Sequence, residues 1–159
     1  MSENRELLRH TVATVAYRAA RALEGADEGF ARFSQTGGRA PGALLAHMGD
    51  LFDWALSMAK GAPEWHNSEP LAWAAEKDRF FAALASFDAY LASPEPMHAP
   101  ADRLFQGPIA DALTHVGQLA LMRRLYGAPT VGENFYMADV KAGKLDADQG
   151  EPVQPFRKR

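Results

Sequence analysis

The chain has 159 residues, 47% of them apolar, with a formal net charge of −3 and no cysteine. That length suits one compact domain with a real core, and the composition is not that of a disordered chain. The mild negative charge excludes a general attraction to nucleic acid or anionic membrane. The missing thiols exclude disulfides, thiolate metal sites and cysteine nucleophiles, so any metal would be held by nitrogen and oxygen.

The chain opens on a polar stretch, Met1-Ser-Glu-Asn-Arg-Glu, without the basic-then-apolar pattern of a signal peptide, and no apolar run approaches the roughly 20 residues needed to span a bilayer. A cytoplasmic location is the resulting expectation. Leu8, Val12, Val15, Ala19 and Ala22 recur at helical spacing and predict a first helix over about Glu3–Leu23, ended by Gly25. Residues 27–38 read as a loop whose Phe30 and Phe33 pack on the helices. A second helix is predicted from Pro41, a residue suited to a first turn, with Leu44, Leu45, Met48, Leu51, Phe52, Ala55 and Ala59 as its apolar stripe. Gly61 and Pro63 stop it. The third is predicted from Ser68 as N-cap with Pro70 in the first turn, and Pro94 and Pro96 end it.

Residues 94–107 then read as a loop too long for a tight turn, which suggests a crossover. The fourth helix is predicted from Pro108. Its stop signals are Arg123 and Arg124 facing the negative helix end, Gly127 past it and Pro129 beyond. From Thr130 onward there is no sustained periodicity, and the terminal Arg157-Lys158-Arg159 is too short to argue nucleic-acid binding. No internal repeat and no useful alternating run occurs. The expected fold is all-α: a four-helix bundle over residues 1–129, with a long crossover loop. An irregular C-terminal extension, 130–159, would pack on the bundle or on a partner chain.

The fourth helix contains Asp111-Ala-Leu-Thr-His115-Val-Gly-Gln118. At 100° per residue, Asp111, His115, Gln118 and Met122 fall within roughly 40° of one another, on a helix read as largely buried. A buried carboxylate and a buried imidazole each need a partner. His47, beside Leu44, Met48 and Leu51 on the second helix, can meet them if the two helices are neighbours. Two imidazoles and a carboxylate make a three-point site with open positions that zinc, nickel, iron or manganese would accept. The alternative is that His115 simply pairs with Asp111, itself favoured in a first turn by the helix dipole. Gln118 and Asp50 are candidate outer partners, hydrogen-bonded to the ligands.

With these residues in view, the chain resembles the DinB-like family, metal-binding four-helix bundles that include bacillithiol transferases and mycothiol-dependent maleylpyruvate isomerases. The resemblance spans about residues 5–127. Leu-Leu-Ala-His47-Met-Gly-Asp matches the second-helix element and His115-Val-Gly-Gln118 the end of the fourth-helix element. Asp111 stands where the family usually has the first His of a His-x-x-x-His pair, which makes the site more anionic and harder. The resemblance implies thiol S-transfer, thiol-dependent isomerisation or hydrolysis, with an external low-molecular-weight thiol. A metal at the three residues would lower the pKa of a water or thiol. The rival expectation is a non-catalytic bundle, metal-stabilised or metal-free, that dimerises or binds an apolar ligand.

Other residues are weaker candidates. His10 could carry protons at the site mouth, its reference pKa being near neutrality, but a partly exposed helix residue is the plainer reading. His66 and His98 lie in Pro-rich loop contexts and read as solvated. Glu133, Asn134 and Tyr136 either supply polar groups to a pocket or partner, or belong to a solvated tail. A small-molecule substrate and a homodimer, the commonest closed assembly, complete the expectations.

Overall fold

The computed structural model describes residues 2–34 and 37–156, so the basic terminal tripeptide and part of the 27–38 segment lie outside the described residues. The fold is all-helical. Helix α1 spans Glu3–Leu23, a short α2 Glu28–Ala31, α3 Pro41–Ala59, α4 Trp73–Ala92, a short α5 Ala101–Leu104 and α6 Ala110–Leu125, with a π-helical turn, Phe105–Ile109, joining α5 to α6. No strand forms among the described residues; Glu133 and Pro155 make one isolated antiparallel bridge.

Each long helix has two long neighbours: α1 lies against α4 and α6, and α3 lies against the same pair. The centre is filled by Phe30, Phe52, Phe80, Phe87, Leu45 and Leu84, all fully buried. Burial of a side chain of this size contributes roughly 1.5–3 kcal/mol. The apolar stripes predicted for α1 and α3 line this core.

Three boundaries differ from the sequence expectation. The segment after α1 forms α2, because Asp27 caps it by accepting from the Phe30 N–H at 2.8 Å. Helix α4 begins at Trp73 rather than Ser68. Its start is fixed by two carboxylates, Glu28 accepting from Trp73 N–H (2.9 Å) and the buried Glu76 from Leu71 N–H (2.8 Å), while Ser68 is drawn away to Asp50. The long loop expected over 94–107 ends early. The chain is helical from Ala101 through Leu125, and Pro108 sits inside the π turn. Proline cannot donate the α-type hydrogen bond and its ring crowds the preceding turn, so the wider turn lets the helix continue through it.

The end of α6 follows its stop signals. Gly127 adopts φ +86°, and Arg123 folds back to donate to Ala128 O and Glu24 O at 2.9 Å each. Its guanidinium also lies 5.4 Å from the Phe30 ring centroid, tying α6 to α2.

Residues beyond α6 run along α1. Glu133 is buried and accepts from Tyr17 Oη (2.8 Å) and Arg21 Nε (3.0 Å), and Arg21 donates to Gly150 O (2.7 Å). Burial opposes the charge on Arg21, but the Tyr17 and Glu133 contacts outweigh it and raise its pKa. Asn134 bonds Gln154, whereas Tyr136 is 94% exposed.

Candidate metal centre

Helices α3 and α6 are in contact, and that contact carries the site. His47 projects from the second turn of α3. Asp111 and His115 project from successive turns of α6, four residues apart and hence on one face. One ligand atom from each of the three lies within 4.8 Å of the others. His47 Nε2 is 3.8 Å from Asp111 Oδ2, His115 Nε2 is 3.3 Å from Asp111 Oδ1, and the two imidazole centroids are 5.1 Å apart.

The burial is asymmetric. Both imidazoles are largely covered, at 16% and 12% side-chain exposure, whereas Asp111 is 47% exposed. The polar strip is therefore not buried in the middle of α6, as its sequence suggested. The buried face of α6 is Ala112, Val116, Leu119 and Arg123, and the strip lies beside it, with Asp111 and Gln118 exposed.

Gln118 presents Oε1 to His115 Nδ1 at 2.8 Å. An amide oxygen only accepts, so Nδ1 donates to it, and in the neutral ring that leaves the lone pair on Nε2. That nitrogen is buried and makes no hydrogen bond, although a carboxylate oxygen faces it. Two acceptors turned towards each other are repulsive unless a proton or a cation stands between them. His47 is held below its usual pKa of 6.5, first by burial and then by Arg39 and His115, against the opposing pull of Asp111 and Asp50. At neutral pH it is thus an uncharged imidazole, the ligating form, and its approach to Asp111 is not an ion pair.

For metal–ligand bonds of about 2.1 Å, tetrahedral donors stand about 3.4 Å apart. The spacing from His115 to Asp111 Oδ1 fits that edge; His47 approaches the other oxygen, Oδ2, at 3.8 Å, so an ion held by all three residues requires the exposed carboxylate to turn or to bind through both oxygens. Trp65, from the α3–α4 connection, stands edge-on to His47 with centroids 5.7 Å apart, and Trp54 packs edge-on to Trp65 at the same distance. Trp65 thus covers one side of His47, with Trp54 behind it.

Two expected participants are elsewhere. Asp50 does not bond any member of this trio. Its carboxylate accepts from Ser68 N–H (2.8 Å) and Ser68 Oγ–H (2.7 Å) and pairs with His66 (3.0 Å). The helical pattern alone could not foresee that the following connection folds back to claim it. His10 lines a small cavity of about 190 Å³ with Arg18, Phe135 and Tyr136, and none of the trio lines that cavity. His66 is exposed, as its loop context leads one to expect, and it also contacts Asp50 and Asp53. His98 is exposed and its ring packs against Gly61. A larger apolar cleft of about 730 Å³ lies between α1 and α5, lined by Leu7, Leu8, Pro100, Ala101 and Phe105 among others. No described helix is long and apolar enough to cross a membrane.

Comparison of the chain with family models, curated proteins and solved structures returned no match.

Proposed function

We propose that the chain is a metal-dependent enzyme of the DinB-like kind, its four long helices forming a four-helix bundle that holds a divalent ion at His47, Asp111 and His115. The observation that carries this reading is the buried, unbonded Nε2 of His115 turned towards a carboxylate, with a second imidazole nitrogen converging on the same carboxylate. A cation satisfies all three groups at once. Bound there, a divalent ion supplies Lewis acidity that makes a water or a thiol nucleophilic at neutral pH.

The chain's own residues do the rest. Gln118 fixes the His115 tautomer, as an outer partner of a ligating imidazole should. Trp65, backed by Trp54, covers one side of His47, while the exposed Asp111 edge gives access for a small-molecule substrate. Zinc, nickel, iron and manganese fit two nitrogens and an oxygen. The proposed chemistry is thiol S-transfer, thiol-dependent isomerisation or hydrolysis, the thiol coming from a separate small molecule because the chain has none.

The apolar cleft beside Leu7 and Phe105, residues 63% and 46% exposed, favours a second reading: a homodimerising or apolar-ligand-binding bundle without turnover. The deciding experiment is elemental analysis of protein purified without an affinity tag, alongside His47→Ala and His115→Ala. Stoichiometric metal lost in both variants, with metal-dependent consumption of a thiol by the unsubstituted chain, supports the enzyme. Unchanged metal content in both variants refutes the assigned ligands. Bound metal whose removal unfolds the chain, without turnover, supports the non-catalytic bundle.

A further inference from the structure

We propose that Asp50, Asp53 and His66 form a second divalent-cation site, independent of the first, that fastens the α3–α4 connection over His47. One ligand atom from each of the three lies within 4.8 Å of the others. His66 Nε2 is 3.0 Å from Asp50 Oδ1 and 3.3 Å from Asp53 Oδ2. Those separations match two edges of a donor polyhedron around one ion, about 3.0 Å for octahedral and about 3.4 Å for tetrahedral arrangements. Two carboxylates and a neutral imidazole give a doubly negative set, which a divalent cation neutralises. Two hard carboxylate oxygens with one borderline imidazole nitrogen suit manganese or zinc.

The site is also oriented from behind. Asp50 is 3% exposed, and Ser68 holds both of its oxygens through a backbone N–H and a hydroxyl. A carboxylate so fixed keeps lone pairs free on the side facing His66. On the other side, Asp53 and His66 are 41% and 45% exposed and border a cleft of about 350 Å³ that Glu64 and Ser57 also line. That opening leaves room for water to complete the coordination.

The consequence lies in the connection itself. Residues 60–72 have no helix or strand of their own, yet His66 and Ser68 anchor them to α3. Trp65, next in the chain to His66, is the indole standing against His47. His47, Asp50 and Asp53 follow one another at intervals of three along α3, so the two sites are adjacent on that helix. An ion between Asp50, Asp53 and His66 therefore sets where Trp65 sits.

The test is a Mn²⁺ titration of the chelator-treated full chain, followed by calorimetry and electron paramagnetic resonance, with tryptophan emission recorded in parallel. The proposal expects one ion to be lost in Asp53→Asn and in His66→Gln, both solvent-facing changes that leave the helical circular dichroism intact. It expects that ion to remain in His47→Ala. Ser68→Ala should weaken it about tenfold, as loss of an outer partner does. Emission should respond to this ion in the unsubstituted chain and in His47→Ala, but not in His66→Gln. Ion count and affinity unchanged in Asp53→Asn and His66→Gln overturn the second site and leave the first untouched; the cluster is then His66 held between two carboxylates without an ion. An ion lost only in those two variants supports the second site and refutes the first.

Discussion

Replacement of Glu133 by alanine is expected to destabilise the chain severely, although the residue lies in a segment without regular structure. The Glu133 side chain is 1% exposed and that of Arg21 is 10% exposed. Alanine would remove the acceptors for Arg21 Nε and Tyr17 Oη and leave a guanidinium desolvated beside nothing of opposite charge. Breaking one side of a buried pair costs about 3–5 kcal/mol. Arg21 keeps Gly150 O and Tyr17 Oη as acceptors, which places the expected loss near the lower end, about 3 kcal/mol. At about 2–4 °C per kcal/mol for a chain of this size, Tm should fall by about 6–12 °C in calorimetry. Glu151→Ala, at an exposed position, should stay within about 0.5 kcal/mol of the unsubstituted protein. The apolar pair Arg21→Met with Glu133→Leu should recover most of the loss. A Tm drop below about 2 °C for Glu133→Ala, or a double variant as unstable as the two single changes added together, would show that no desolvated charge is involved.

Gln118→Ala should weaken metal binding about 10–100-fold in calorimetric titration while the helical circular dichroism is unchanged, because it frees the His115 ring and its tautomer. The pH dependence of His47 has a definite sign. Its folded pKa lies below the usual 6.5, so its contribution to stability is complete above about pH 6.5 and is lost as pH falls through the depressed folded value. In urea unfolding of metal-free protein from pH 7.5 to 4.5, the unsubstituted chain should lose more stability than His47→Gln; equal loss would contradict the burial argument. Gly61→Ala should cost about 1–3 kcal/mol by chemical denaturation, since Gly61 has φ +79° and a Cβ there would stand 2.9 Å from His98 Cγ.

What the sequence made legible was set by local periodicity and punctuation. Pro41 begins α3, and Gly127, in the left-handed region, follows the end of α6. The failures share a cause. Ser68 followed by Pro70 carries the same signal whether it starts a helix or, as here, binds a carboxylate 18 residues earlier. Pro108 looks like a first-turn residue, and nothing local distinguishes that from a proline accommodated inside a widened turn. At the candidate centre, the i,i+4 spacing of Asp111 and His115 indicated a shared face, but the depth of that face depended on how α6 leans on α1 and α3. His66 carries no such local signal, because its partners, Asp50 and Asp53, are reached only by the chain doubling back. Contacts of that kind leave no periodic trace.

The widened turn at Phe105–Ile109 has a consequence for variation in length. It lies immediately upstream of Asp111, in a helical run that begins at Ala101. Each residue added to or removed from a helix swings everything on one side of the change by about 100° relative to the other. The π turn is the exception, because it holds about one residue more than an α turn: losing one residue there lets the backbone return to ordinary winding with Leu104 still inward and Asp111 and His115 still facing His47, whereas the same loss between Asp111 and His115 would split the pair. A frame-preserving loss of the codon for exposed Gln106 is therefore expected to be better tolerated than substitution of buried Leu104 or Ile109 by a polar residue.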